Sequence, residues 1–176
     1  MTMTAAAFWE LLGRAAERPT ERERTEFVVT ELGRLPRASA VDFHRHLVAA
    51  RVDTPGLRAA ARVVLGRRLG DDAYWDFQPW LLSLGRTAVE RALADPDSLA
   101  DVPRVRALAG GWAVADQPAW PSLARAVLEV CGLDCECFPA PDDGPEPPLP
   151  RLAALFDTPI RPVRKETDAE VVTVVW

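Results

Sequence analysis

The sequence is nearly without lysine: Lys165 stands alone beside twenty arginines. Histidine is equally sparse, with only His44 and His46, and cysteine occurs three times, at Cys131, Cys135 and Cys137. No apolar run approaches the roughly 18 residues of a membrane-spanning helix. Each shortage removes a class of function. Histidines two apart diverge on a helix, so they make a poor metal pair. The spacing C-x3-C-x-C matches neither usual zinc pair, and no nearby histidine completes a site. An odd thiol count also speaks against a disulfide framework. The cysteines are therefore expected to be structural or incidental, and no metal or other cofactor is expected. The glycine-containing loop GRRLGD has no Lys-Ser pair and no strand before it, so it is no phosphate loop.

Charge and termini narrow the field further. A net charge of −5 and a pI near 5.1 argue against nucleic acid as a partner, because such proteins usually carry a basic domain or stripe. Arginine in place of lysine, with abundant Ala and Pro, reads as coding bias in a GC-rich bacterium. The opening run AAAFW is cut by Glu10 and has no basic leader, so a signal peptide is not expected. The expectation is a cytoplasmic chain with no membrane partner.

What is present is helix signal. Phe8, Leu11, Leu12 and Ala15 fall at helical spacing and predict a helix over Thr4–Arg18. Thr20 and Glu23 form a capping box for a second helix, which buries Phe27, Val28, Leu32 and Leu35 and stops at Pro36. A third runs over Ser39–Arg51 on Val41, Phe43 and Leu47. Thr54 caps a fourth with Pro55 at its first position, where the missing N–H costs nothing; Leu57, Ala60, Ala61, Val64 and Leu65 form its face and Gly66 ends it. Asp72 is expected to cap a helix carrying Tyr74, Phe77, Trp80, Leu81 and Leu84, kinked at Pro79. After a break at Gly85 and Arg86 comes a helix over Thr87–Ala94. A turn and short helix in DPDSLADVP follow, capped by Asp97 or Ser98 and limited by Pro96 and Pro103. A last long helix over Pro118–Gly132 buries Leu123, Val127, Leu128 and Val130. The tryptophans at 9, 75, 80, 112 and 120 are expected to anchor the core.

The fold expected is all-α: one irregular multi-helix domain over 1–137. A Pro-rich joint, FPAPDDGPEPPLP, spans 138–150. A short docking helix at 151–156 and an extended tail at 157–176 complete the chain. No internal repeat is visible.

Several motifs in order resemble the bacterial family known as domain of unknown function 4240. They are Gly70-Asp71-Asp72, Phe77, Trp80-Leu81-Leu82, Gly85-Arg86, and Ala92-Leu93 through Pro96-Asp97-Ser98-Leu99-Ala100. The opening Phe8-Trp9-Glu10-Leu11 and the late Leu149-Pro150-Arg151-Leu152 look like the family's ends, so the resemblance covers roughly residues 5–156. The family usually has a cysteine or serine before the Asp pair and an arginine where Pro79 stands. The resemblance implies a helical fold and no established activity.

Two constellations remain. Asp71, Asp72 and Asp76 form an acidic cluster facing Arg67, Arg68 and Arg86; Asp72 and Asp76 share a helix face and could hold a hard cation or a water. The simpler reading is capping and a favourable charge at a helix start. The tail ends in Val171-Val172-Thr173-Val174-Val175-Trp176, a β-branched run that favours extended structure and must be covered or taken up by a partner. A folded domain, a Pro-rich tether and such a segment resemble precursors of ribosomally made, modified peptides. The valine-rich core resembles the borosin type, whose backbone amides a partner enzyme N-methylates. The leading expectation is a non-catalytic helical scaffold that presents its tail to a protein partner, such as a modifying enzyme. An intracellular adaptor or immunity-type interaction protein, a homodimer packed through the tail, and an enzyme using Asp71, Asp72, Asp76 and Arg86 are the alternatives.

Overall fold

The computed structural model describes residues 2–65, 71–109, 123–133 and 144–157, with only the backbone described at 71 and 72. These residues form α1 (Ala5–Ala16), α2 (Glu21–Gly33), α3 (Arg37–Ala49), α4 (Pro55–Leu65), α5 (Asp71–Ser83) and α6 (Arg86–Ala94). A 3-10 helix (Pro96–Asp101), α7 (Pro103–Ala109), α8 (Leu123–Cys131) and α9 (Pro150–Phe156) follow. There is no strand among the described residues, and the fold is all-α.

Local chemistry sets several helix starts. The Thr4 hydroxyl accepts from the Ala7 N–H. Thr20 and Glu23 close the capping box reciprocally: Thr20 Oγ1 accepts from the Glu23 N–H, and Glu23 Oε2 accepts from the Thr20 N–H. The Thr20 hydroxyl, which donates to Glu23 Oε2 at 2.8 Å, and then the Thr20 N–H hold the Glu23 carboxyl below its usual range. Thr54 Oγ1 accepts from the Leu57 N–H at 3.1 Å. At the other end of the chain α8 finishes in a Schellman turn. Gly132, at φ 63°, lets its own N–H reach Glu129 O and the Leu133 N–H reach Leu128 O, satisfying two carbonyls that the helix leaves open.

Some boundaries differ from the sequence reading. α2 ends at Gly33, so Leu35 lies beyond it and is 41% exposed instead of buried. α5 begins at Asp71, which puts Asp72 inside the first turn and moves the cap position outside the described residues. The 3-10 helix is capped by Asp95, whose carboxylate accepts from the Asp97 N–H, and not by Asp97 or Ser98. Pro103 starts α7 where the sequence suggested only a limit, consistent with proline's tolerance at a first helical position. Leu128 and Val130 are half-buried; Leu123, Ala124, Val127 and Cys131 make the deep face of α8.

At the centre is α5. It packs against α1, α2, α4, α6 and α8, and residues 77–83 are all buried. A helix surrounded on all sides loses its amphipathic stripe, which is why Gln78, Pro79 and Ser83 are buried beside Phe77, Trp80, Leu81 and Leu82. Pro79 sits within α5 and has no N–H to give to the Trp75 carbonyl. Phe8 and Phe43 meet at 5.0 Å between ring centres, and Phe77 and Trp80 at 5.3 Å. All four are almost completely buried, each stabilising the fold by roughly 1.5–3 kcal/mol. α9 lies on the 3-10 helix and α4, with Leu152 fully buried.

Candidate functional site

The acidic residues singled out in the sequence sit at the start of α5, and Arg86 opens α6 just beyond its far end. α5 ends at Ser83 and Gly85, at φ 93°, turns the chain before Arg86, so Asp76 and Arg86 stand on different helices. Arg86 Nε donates to Glu90 Oε1 at 2.7 Å, and both side chains are exposed. Asp76 is half-buried. The side chains of Asp71 and Asp72, and the whole of Arg67 and Arg68, lie outside the described residues, as do Cys135, Cys137, Trp112, Trp120 and the tail residues Val171, Val172, Thr173, Val174, Val175 and Trp176.

The fold gathers polar groups elsewhere. The buried stripe of α2 runs Glu21, Arg24, Val28, Leu32, so its first turn puts an ion pair where a helix normally puts apolar residues. Arg24 Nη2 lies 3.2 Å from Glu21 Oε2, with side chains only 2% and 5% exposed. Ser83 of α5 joins them: its Oγ is 3.1 Å from Glu21 Oε2, accepts from Arg24 Nη1 at 3.4 Å, and lies 2.7 Å from Trp80 O. Arg24 Nε donates to Thr20 O. Burial pushes the Glu21 carboxyl above its usual range, while the charges of Arg24 and Arg104 and the Ser83 hydrogen bond pull it back. Arg104 reaches over from α7 and donates to the carbonyls of Pro19 and Arg18. One side-chain assembly thus ties α2, α5 and α7 to the α1–α2 turn.

A second assembly centres on Asp97, 7% exposed in the 3-10 helix. Its two carboxylate oxygens accept from the Arg151 N–H at 3.1 Å and the Leu152 N–H at 2.8 Å. These are free donors at the start of α9, so Asp97 acts as an N-cap supplied from 54 residues away. Asp101 pairs with both Arg91 and Arg151, and its hydrogen bond from Arg151 is the main cause holding its carboxyl low. A third assembly sits on the α3–α4 connection. Asp53 takes a bidentate pair from Arg58, 2.8 and 2.6 Å, and the guanidinium lies 4.6 Å over the Tyr74 ring. Burial pushes the Tyr74 phenol above its ordinary range.

In these assemblies each carboxylate holds a guanidinium or a helix end, and what they do is fasten elements together. Among the described residues no group of three or more His, Cys, Asp or Glu is placed to hold a metal ion, and no helix is long and apolar enough to cross a membrane. His46 Nε2 lies 3.0 Å from Met3 O. Cys131 is buried, which raises its thiol pKa. Sequence reasoning missed Glu21, Arg24 and the long reach of Asp97. The 3–4 spacing of Glu21, Arg24, Val28 and Leu32 was the available signal, hidden because ERER looks like a solvated face.

A family model described as "Protein of unknown function (DUF4240)" matches residues 3–130. No curated protein and no solved structure matches the chain.

Proposed function

The chain belongs to this family of proteins of unknown function, and from that premise we propose that it is a non-catalytic helical scaffold that presents the segment beyond Phe156 to a protein partner. The observation that supports the reading is the clamp on α9. Asp97 caps this helix, Asp101 holds Arg151, and Leu152 is fully buried. A helix of 7 residues is too short to persist alone, so these ties give the following segment a fixed point of departure from the body. A partner bound to the body then meets that segment at high effective concentration.

In its sharper form the segment is a substrate: the run Val171–Val175 is N-methylated on its backbone amides, as in a ribosomally made peptide precursor. Methylation needs N–H groups not tied up in a ladder, and a β-branched, glycine-free run in extended form meets that need. The test is intact mass of the protein produced together with its genomic neighbours. Added mass in multiples of a methyl group, confined to the peptide containing residues 171–176, supports the substrate reading. Unmodified mass together with a large loss of stability on removing Asp168–Trp176 refutes presentation and makes the segment part of the chain's own packing.

A further inference from the structure

The α1–α2 turn and α7 flank an open cleft of about 520 Å³, inside the range of small-molecule sites. Its lining has two parts. Ala16, Leu84, Val102 and Leu108 supply an apolar wall, completed by further Ala and Pro; among the described residues on it, Arg24 and Arg104 are the charged ones. Among the described residues no carboxylate lines the cavity, although the chain as a whole carries a net charge of −5.

The two arginines are not equivalent. Arg24, 2% exposed, has its charge balanced by Glu21 behind it at 3.2 Å. Among the described residues, the hydrogen bonds of Arg104 go to the carbonyls of Pro19 and Arg18. Those acceptors orient the guanidinium without neutralising it. They use two of its five N–H donors, and the acidic group of the assembly whose charge it feels, Glu21, is already paired with Arg24. Among the described residues the site therefore holds two cations against one carboxylate, in a cleft whose apolar walls strengthen the field of the excess charge.

We infer that this cavity is a binding site for a small organic anion, a carboxylate on an apolar body. Arg104 receives the carboxylate through its remaining donors, with the fork geometry suited to two parallel bonds, and Leu84, Val102 and Leu108 take the apolar body. This site is separate from the segment beyond Phe156 and stands whether or not that segment is presented.

Calorimetric titration of the full chain with 4-phenylbutyrate tests the inference, with 4-phenylbutan-1-ol and acetate as the neutral and the purely ionic controls. Saturable binding of phenylbutyrate is expected, with the alcohol at least about tenfold weaker because a charge-assisted bond is lost. Arg104→Met should weaken phenylbutyrate by a similar factor. Ala107→Trp, at an exposed position on the cavity wall, should block binding without touching Arg104; it carries the test if Arg104→Met unfolds for want of its ties to Pro19 and Arg18. Equal affinity for acid and alcohol overturns the inference, as does binding unchanged by Ala107→Trp, or the absence of saturable binding to the folded chain.

Discussion

Replacing Asp97 with alanine removes both acceptors at the start of α9. The carboxylate is nearly buried and takes the N–H groups of Arg151 and Leu152 at 3.1 and 2.8 Å. Loss of an N-cap side chain costs about 0.5–2 kcal/mol, and hydrogen bonds to a charged group lie at the upper end of such effects. The cost has a ceiling, because α9 can undock by itself. Undocking forfeits the burial of Leu152, roughly 1.5–3 kcal/mol, and recovers the entropy of a 7-residue segment. The expected outcome for Asp97→Ala is therefore a loss of about 1–3 kcal/mol in urea unfolding, with early amide exchange confined to residues 151–157. Asp97→Asn keeps one oxygen acceptor and should fall between the wild type and alanine. The reasoning fails if the alanine variant keeps both its α9 exchange protection and its stability to within about 0.5 kcal/mol.

Other outcomes follow from the same contacts. Arg24→Ala leaves Glu21 buried without its partner and should cost about 3–5 kcal/mol in denaturant unfolding; Glu21→Leu combined with Arg24→Met should recover most of that. Because the Glu21 pKa is raised on folding, the native state keeps the proton longer than the unfolded state. Its contribution is thus full below the ordinary carboxyl value and declines as pH rises through the folded value; Glu21→Gln should remove that decline, seen as a flatter plot of unfolding free energy against pH from 4.5 upward, whatever its constant offset. At Gly56 an added Cβ would lie 2.6 Å from Pro96 Cγ, so Gly56→Ala should lower stability by about 1–2 kcal/mol on calorimetry, overpacking outweighing the gain in helix propensity. If the segment beyond Phe156 is presented and not packed, deleting Asp168–Trp176 should leave the melting temperature nearly unchanged.

The helical class, the capping box at Thr20 and Glu23, the cap at Thr54, the Gly132 stop, and core residues such as Phe8, Phe43, Phe77 and Leu123 were legible in the sequence. Each of these depends on groups within about one helical turn, or on the 3.6-residue recurrence of apolar side chains along one helix face. The tertiary structure alone decided which polar residues go inside. Glu21 and Arg24 stand in a charged run, and they are buried only because Ser83 of α5 and the Thr20 carbonyl supply bonds that water would otherwise provide. Asp97 looked like a local cap because such residues cap their own turns, yet its partners lie 54 and 55 residues further on. The all-round burial of residues 77–83 was equally hidden, since Gln78 and Ser83 interrupt the apolar pattern and five other helices must assemble before their positions become interior. Local periodicity records which side chains prefer to leave water, whereas the burial of a polar group depends on a partner that only the folded chain brings within reach.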